Sequence, residues 1–256
     1  MIKKLLIKLL VLISIILING CSNDQTDPHS QLIVGVSADY PPFEFKEGEN
    51  FKGLDIDLAN LIGQELNKKI IFKDLGQSSL CAALNSGQVD LIISAFSFTK
   101  QRNKCLDLSN PYYFADIALI FRKDKPIQDI AELHHKKVGV QLGTTMEDWA
   151  TELFKDIKLI TMDLNTQLIE ALKSKQLDTV IIEYAQAREF CNKNKDLGYL
   201  VAAKSNNGYV VVMKKGSLLL PLINKAIDEI KQQGELLKLE KQWLEVIVET
   251  DLHDAS

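Results

Sequence analysis

Arg102, Glu183 and the pair Thr144-Thr145 are residues whose types and settings could do chemistry. Arg102 closes the stretch "SAFSFTKQR", eight residues beyond Ser94. A planar guanidinium holds a carboxylate through two parallel hydrogen bonds, which lysine cannot do. Ser94 and Ser97 offer hydroxyl and backbone N–H groups in the same stretch. Thr144 and Thr145 follow Gly143 at an expected strand-to-helix turn, where the free N–H groups of a helix start favour an anion. A threonine there also serves as an ordinary N-cap, and the two roles are compatible. Glu183 ends the apolar run "TVII", and a carboxylate straight after a buried strand is costly unless it meets a cation. The stretch therefore offers partners for both signs of charge.

Other chemistries find no support. The four histidines, His29, His134, His135 and His253, sit in polar stretches, and no two of Cys81, Cys105 and Cys191 have metal-ligand spacing. The sequence predicts no metal and no cofactor. No Ser/His/Asp or Cys/His set occupies the candidate loops. With a net charge of -4 the 256-residue chain has no basic footprint for nucleic acid.

The elements that must position these residues alternate in type. Leu32–Val36, Ile70–Phe72 and Val89–Ile93 read as strands, with helices over Leu54–Leu66 and Leu80–Leu84 between them. The pattern repeats with strands Lys137–Gln141, Lys158–Thr161 and Thr179–Ile182 and helices Thr144–Phe154, Thr166–Ser174 and Ala185–Asn192. Tyr209–Met213 returns as a strand, and Leu218–Val248 as two helices joined at Gly234. Two sets of βα units imply an α/β fold with two parallel-sheet lobes, whose ligands bind beyond the carboxyl ends of the strands. The loop "GVSADYPPFEF" follows such an end; its adjacent prolines exclude helix and central strand and make it rigid.

The N-terminus reads as a processing segment. Lys3, Lys4 and Lys8 flank the apolar run Leu9–Ile18, which ends at Asn19-Gly20-Cys21. This describes a secretory signal over residues 1–20. Ile18-Asn19-Gly20-Cys21 resembles a bacterial lipobox, with lipidation of Cys21 and a polar tether over 21–30. An exported chain anchored on the outer side of a bacterial membrane is the expectation.

"YPPFEF", "GLDIDLANLIGQEL", "ALNSGQVDLIISAFSFTKQR", "LSNPYY", "VGVQLGTT" and "INKAIDEIKQQGELLKLEKQWL" occur in that order. Together they resemble the polar amino-acid family of solute-binding proteins that serve ABC importers, across nearly all of the mature chain. The resemblance implies a type II periplasmic-binding-protein-like fold with a two-segment hinge. Lobe one takes residues 31–114 and 211–256, and lobe two takes 115–210. It implies a monomer that delivers an amino-acid ligand to an ABC permease and its ATPase, and that is not an enzyme. Arg102, Ser97, Thr144 and Thr145 would hold the ligand carboxylate, and Glu183 with Ser94 the ammonium. Glu183 departs from the aspartate usual in the family. Tyr40 and Phe43 would form a wall for the ligand side chain, with burial in the core as the alternative for both rings.

Gln77 and Gln141 face the pocket by the same likeness and favour a polar side chain, with water-mediated recognition of arginine or lysine as the alternative and Asp39 and Glu44 close by in sequence. Ser37 stands where relatives with cationic ligands often carry an acid. Cys81 and Cys105 stand where the family commonly has aliphatic residues, which implies either a disulfide or buried free thiols. A prephenate or arogenate dehydratase on the same fold is the rival. It would need an acid one turn after Glu183, where this chain has Gln186.

Overall fold

The structure, a computed structural model, describes residues 30–205 and 207–245. The signal, tether and Cys21 readings and residues 246–256 of the tail lie outside the described residues. The first part of the chain forms β1 (Gln31–Val36), β2 (Asp39–Tyr40), β3 (Glu44–Glu47), β4 (Asn50–Lys52), α1 (Leu54–Glu65) and β5 (Lys69–Asp74). It continues with α2 (Leu80–Ser86), β6 (Leu91–Ile92), α3 (Arg102–Cys105), β7 (Leu106–Leu108) and β8 (Tyr113–Phe114). The middle forms β9 (Ile117–Arg122), β10 (Lys137–Gln141), α4 (Thr145–Leu153), β11 (Lys158–Met162) and α5 (Asn165–Lys173). β12 (Thr179–Glu183), α6 (Tyr184–Lys193) and β13 (Leu197–Ala203) complete it. β14 (Gly208–Tyr209), β15 (Val212–Lys214), α7 (Leu220–Gln232) and α8 (Glu235–Glu240) follow.

Two five-stranded sheets carry the fold, in the orders β5-β1-β6-β15-β7 and β11-β10-β12-β9-β13. β1 pairs in parallel with β5 and β6, and β10 in parallel with β11 and β12. Each sheet departs from the parallel expectation by one strand: β15 runs against β6 and β7, and β9 against β12 and β13. Both are the strands by which the chain arrives from the other sheet. They arrive without a crossover helix, and parallel pairing of consecutive strands requires one.

The arriving segments touch in the ribbon β8–β14, where Tyr113 pairs with Tyr209. The expected strand Tyr209–Met213 is thereby divided between the ribbon and the first sheet. Its apolar run looked continuous because Val210 and Val211 are buried between the two pairings.

Each sheet is covered on both faces, as the apolar runs of its strands demand. Leu54, Leu58 and Ile62 of α1 are 0% exposed and pack with Val34 and Val36 of β1 and with Ile223, Ile227 and Ile230 of α7. Each such side chain contributes about 1.5–3 kcal/mol by leaving water. Leu80, Leu84, Ile92 and Val212 fill the opposite face. Around the second sheet, Leu168, Leu172 and Phe190 cover one face, and Val138, Ala150 and Phe154 the other. The strands are thus fixed from both sides, and the loops at their carboxyl ends inherit that rigidity.

Candidate functional site

The sequence-predicted residues stand at those carboxyl ends. Tyr40 follows β1, Gln77 follows β5, Ser94, Ser97 and Arg102 follow β6, Thr144 and Thr145 follow β10, and Gln141 and Glu183 end β10 and β12. A cleft gathers eight of them: Tyr40, Gln77, Ser94, Ser97, Arg102, Gln141, Thr144 and Thr145. Glu183 lines a neighbouring cleft with Asp116, Asn207 and Tyr209. Ser97, Thr145 and Met146 belong to both clefts, so the two are adjoining chambers.

Arg102 is held in three ways. Its Nη1 donates to the Ser97 carbonyl at 2.8 Å, its Nη2 donates to the Gly143 carbonyl at 2.8 Å, and its guanidinium lies 4.0 Å from the centre of the Phe96 ring. Both acceptors are neutral, and among the described residues no carboxylate pairs with this cation. Gly143 takes φ +80, a conformation that favours glycine, and so turns its carbonyl toward the first sheet. Thr144 caps α4: its Oγ1 accepts from Glu147 N at 3.3 Å and donates to the Gln141 carbonyl at 2.8 Å. Thr145 Oγ1 donates to Ser97 Oγ at 3.2 Å, across the two halves.

Glu183 is 2% exposed and caps α6. One carboxyl oxygen, Oε2, accepts from Gln186 N at 3.0 Å; the other, Oε1, has no partner. Burial pushes its pKa up to about 7, against the lowering effect of the Ala185 and Gln186 N–H groups and of Arg188. A buried carboxyl with one oxygen unused is short of a donor. The two chambers thus hold an unpaired cation on one side and an acid lacking a partner on the other.

Two expected residues play other parts. Phe43 lines neither cleft: it is 0% exposed, 5.2 Å from the Tyr113 ring and 5.4 Å from the Tyr209 ring, and supports Tyr40 from behind at 6.0 Å. Three aromatic neighbours make it core, so the reading of Phe43 as a wall is corrected. Gln141 lines the cleft, but its Nε2 donates to the Asp163 carbonyl and its Oε1 accepts from Asn165 Nδ2, so its amide is occupied. Cys81, Cys105 and Cys191 are free thiols, and the disulfide alternative is not formed.

Sequence reasoning missed an open acidic cleft beside Tyr40, lined by Ser37, Asp39, Asp74, Gly76, Asp163 and Gln167. Asp39 Oδ2 accepts from Asn165 N at 2.7 Å, at the start of α5, whose N-cap Leu164 has no side chain to offer. Asp39 thus caps a helix of the other half, and burial raises its pKa to about 6. Asp74 pairs with Lys46 at 2.7 Å, and Asp163 accepts from Ser78 Oγ at 2.8 Å. The recurring signal is an acid just beyond a strand end: Asp39 after β1, Asp163 after β11.

A family model described as bacterial extracellular solute-binding proteins, family 3, matches residues 32–246. The chain is 38% identical over 230 residues to the arginine-binding extracellular protein ArtP of Bacillus subtilis (strain 168), covering 88% of this chain and 90% of that one. It is similar to the solved amino acid ABC transporter substrate-binding protein AbpA from Streptococcus pneumoniae, bound to L-arginine. The TM-score is 0.80 at 34% identity, covering 86% of this chain and 96% of that one. An ancestral arginine-binding protein bound to glutamine gives 0.80 at 33%, covering 84% and 97%.

Proposed function

The chain belongs to the bacterial extracellular solute-binding proteins, family 3, and on that premise we propose that it captures a polar α-amino acid for an ABC importer. The carrying observation is a pair of ionisable groups of opposite sign, neither of them ion-paired among the described residues. Arg102 lacks a carboxylate and Glu183 Oε1 lacks a donor, in adjoining chambers that share Thr145 and Ser97. A zwitterion supplies both, its carboxylate to Arg102 and the N-terminal turn of α4, its ammonium to Glu183. Ser94, Gln77 and Tyr40 complete the wall. The acidic cleft beside Tyr40 suits a cationic side chain, and the relatives named for arginine make arginine the first ligand to test.

The two sheets with their helices act as two lobes, divided at residues 114/115 and 210/211 by the paired crossing segments. The family is extracellular. A signal over residues 1–20 and a lipidated Cys21 with its tether would hold the monomer near its permease and ATPase. The relatives are named as binding proteins, which supports a substrate-binding role over the dehydratase alternative. Gln186 agrees: the position where that chemistry would want an acid holds a fully buried amide.

Thermal-shift screening of the purified protein against the standard amino acids, followed by calorimetry, tests the reading. Arginine is expected to raise the melting temperature most, with glutamine next. A protein that no amino acid stabilises would overturn the proposal.

A further inference from the structure

Behind Ser94 and Ala95 of the Arg102 cleft lie two carboxyl groups that line none of the three clefts described. Glu44 on β3 is 1% exposed and Asp55 in the first turn of α1 is 0% exposed. Ser94 Oγ donates to Glu44 Oε1 at 2.8 Å and accepts from Ser37 N at 2.9 Å. Asp55 Oδ2 accepts from Ala95 N at 2.6 Å and from Tyr112 Oη at 2.9 Å. Glu44 Oε2 and Asp55 Oδ1 are buried without a partner, and Asp55 N donates to the Phe43 carbonyl at 2.9 Å, which sets Asp55 beside Glu44; two such carboxyls avoid a buried like-charge pair when one of them carries a proton. The bond directions say which one. Asp55 accepts two donors and sits at the positive end of α1, so it is the carboxylate; Glu44 is the neutral acid.

We infer that Glu44 and Asp55 share one proton as a buried pair and together position the Ser94–Ser97 segment for ligand. Ala95 adopts φ +43, a left-handed conformation that alanine disfavours, and its N–H is pinned by Asp55. Ser94 is oriented by Glu44, and both Ser94 and Ala95 line the cleft. Gly53 precedes α1 at φ +125 with the Phe43 carbonyl against its Cα, so β3 and α1 are held close enough for the pair to form. The groups facing the pair are Asp39 and Tyr40 of β2 and Tyr112 of the crossing segment. Burial and the neighbouring Asp55 charge push Glu44 well above the usual carboxylate range, in agreement with the bond directions.

The inference rests on the proposed ligand site, and its test has one arm that does not. Infrared difference spectra of the purified protein at about pH 8 should show the carbonyl stretch of a protonated carboxyl group, absent in Glu44→Gln. Glutamine donates to Asp55 and accepts from Ser94, so this variant should bind arginine close to the parent. Glu44→Ala leaves Ser94 and Asp55 without partners and should bind about tenfold or more weakly. With rising pH the parent should lose affinity relative to Glu44→Gln, and in that ratio the titration of the ligand amine cancels. A missing band, or parental affinity in Glu44→Ala, would overturn the inference. Failure of the parent to bind any amino acid would strike the proposed function, while the infrared arm would still judge the pair.

Discussion

Replacing Glu183 by glutamine should do two opposite things, and their sizes follow from the structure. The carboxyl is fully buried, and its pKa rises from 4.5 to about 7. That shift of about 2.5 units corresponds to about 3 kcal/mol of destabilisation of the ionised folded state. The sign follows from linkage: stability is fully present below 4.5 and is lost as pH rises through about 7. Glutamine keeps an acceptor for the Gln186 N–H and removes the charge, so the unliganded variant should be more stable than the parent at about pH 8. At about 2–4 °C per kcal/mol for a chain of this size, the melting temperature should rise by about 6–12 °C. Near pH 5 the gain should shrink below about 1 kcal/mol, because the folded carboxyl is then almost wholly protonated and only the small cost of protonating a mostly ionised unfolded carboxyl remains. Ligand affinity should move the other way. Leaving the ammonium without its charged partner costs about 2–5 kcal/mol, a loss of at least about thirtyfold. Thermal unfolding at the two pH values, with and without arginine, measures both effects. A variant that melts like the parent at both pH values and is stabilised equally by ligand would refute the reasoning.

Arg102→Ala should weaken ligand binding by about 3–5 kcal/mol in calorimetry, and Arg102→Lys should restore only part, since the fork that also reaches the Ser97 and Gly143 carbonyls is gone. Asp39→Asn should flatten any pH dependence of compaction between about pH 7 and 5 in scattering. Separating the halves would return Asp39 from about 6 toward 3.8, so acidification favours the contact in the parent. Cys21→Ala should release the protein from membranes or leave its precursor uncleaved, as fractionation and mass measurement would show. Phe43→Ala should destabilise the fold by about 3–5 kcal/mol in denaturant titration, as a core ring would and a ligand wall would not.

Arg102, Thr145 and Glu183 were legible because each violates a local expectation: a fork of charge amid serines, a helix start after glycine, a carboxylate after three apolar residues. The strands that hold them were legible because parallel strands are apolar throughout. Which of Tyr40 and Phe43 would face ligand was not, since neither helical nor strand periodicity applies across Pro41-Pro42. Asp39 and Asn165 stand 126 positions apart, and nothing local to either signals a helix capped from the other half. β9 and β13 went unassigned for a related reason. Their pairing depends on the crossing of the chain, and β13 is half exposed, which blurs its pattern.

The position of β15 inside the first sheet governs the order in which the molecule can be completed. β7 pairs with β15, and α1 packs against α7, so the residues from 31 to 108 await a strand and a helix made more than a hundred residues later. The middle of the chain, from Ile117 to Ala203, holds every strand of its own sheet and has nothing to wait for. During synthesis or passage through a membrane, the segment that emerges first is therefore the last to close its core. Until Ile223 and Ile227 arrive, Leu54, Leu58 and Ile62 lack the partners that bury them. The middle can thus close its core before the first part does, and the first part stays open until the last long helix is made.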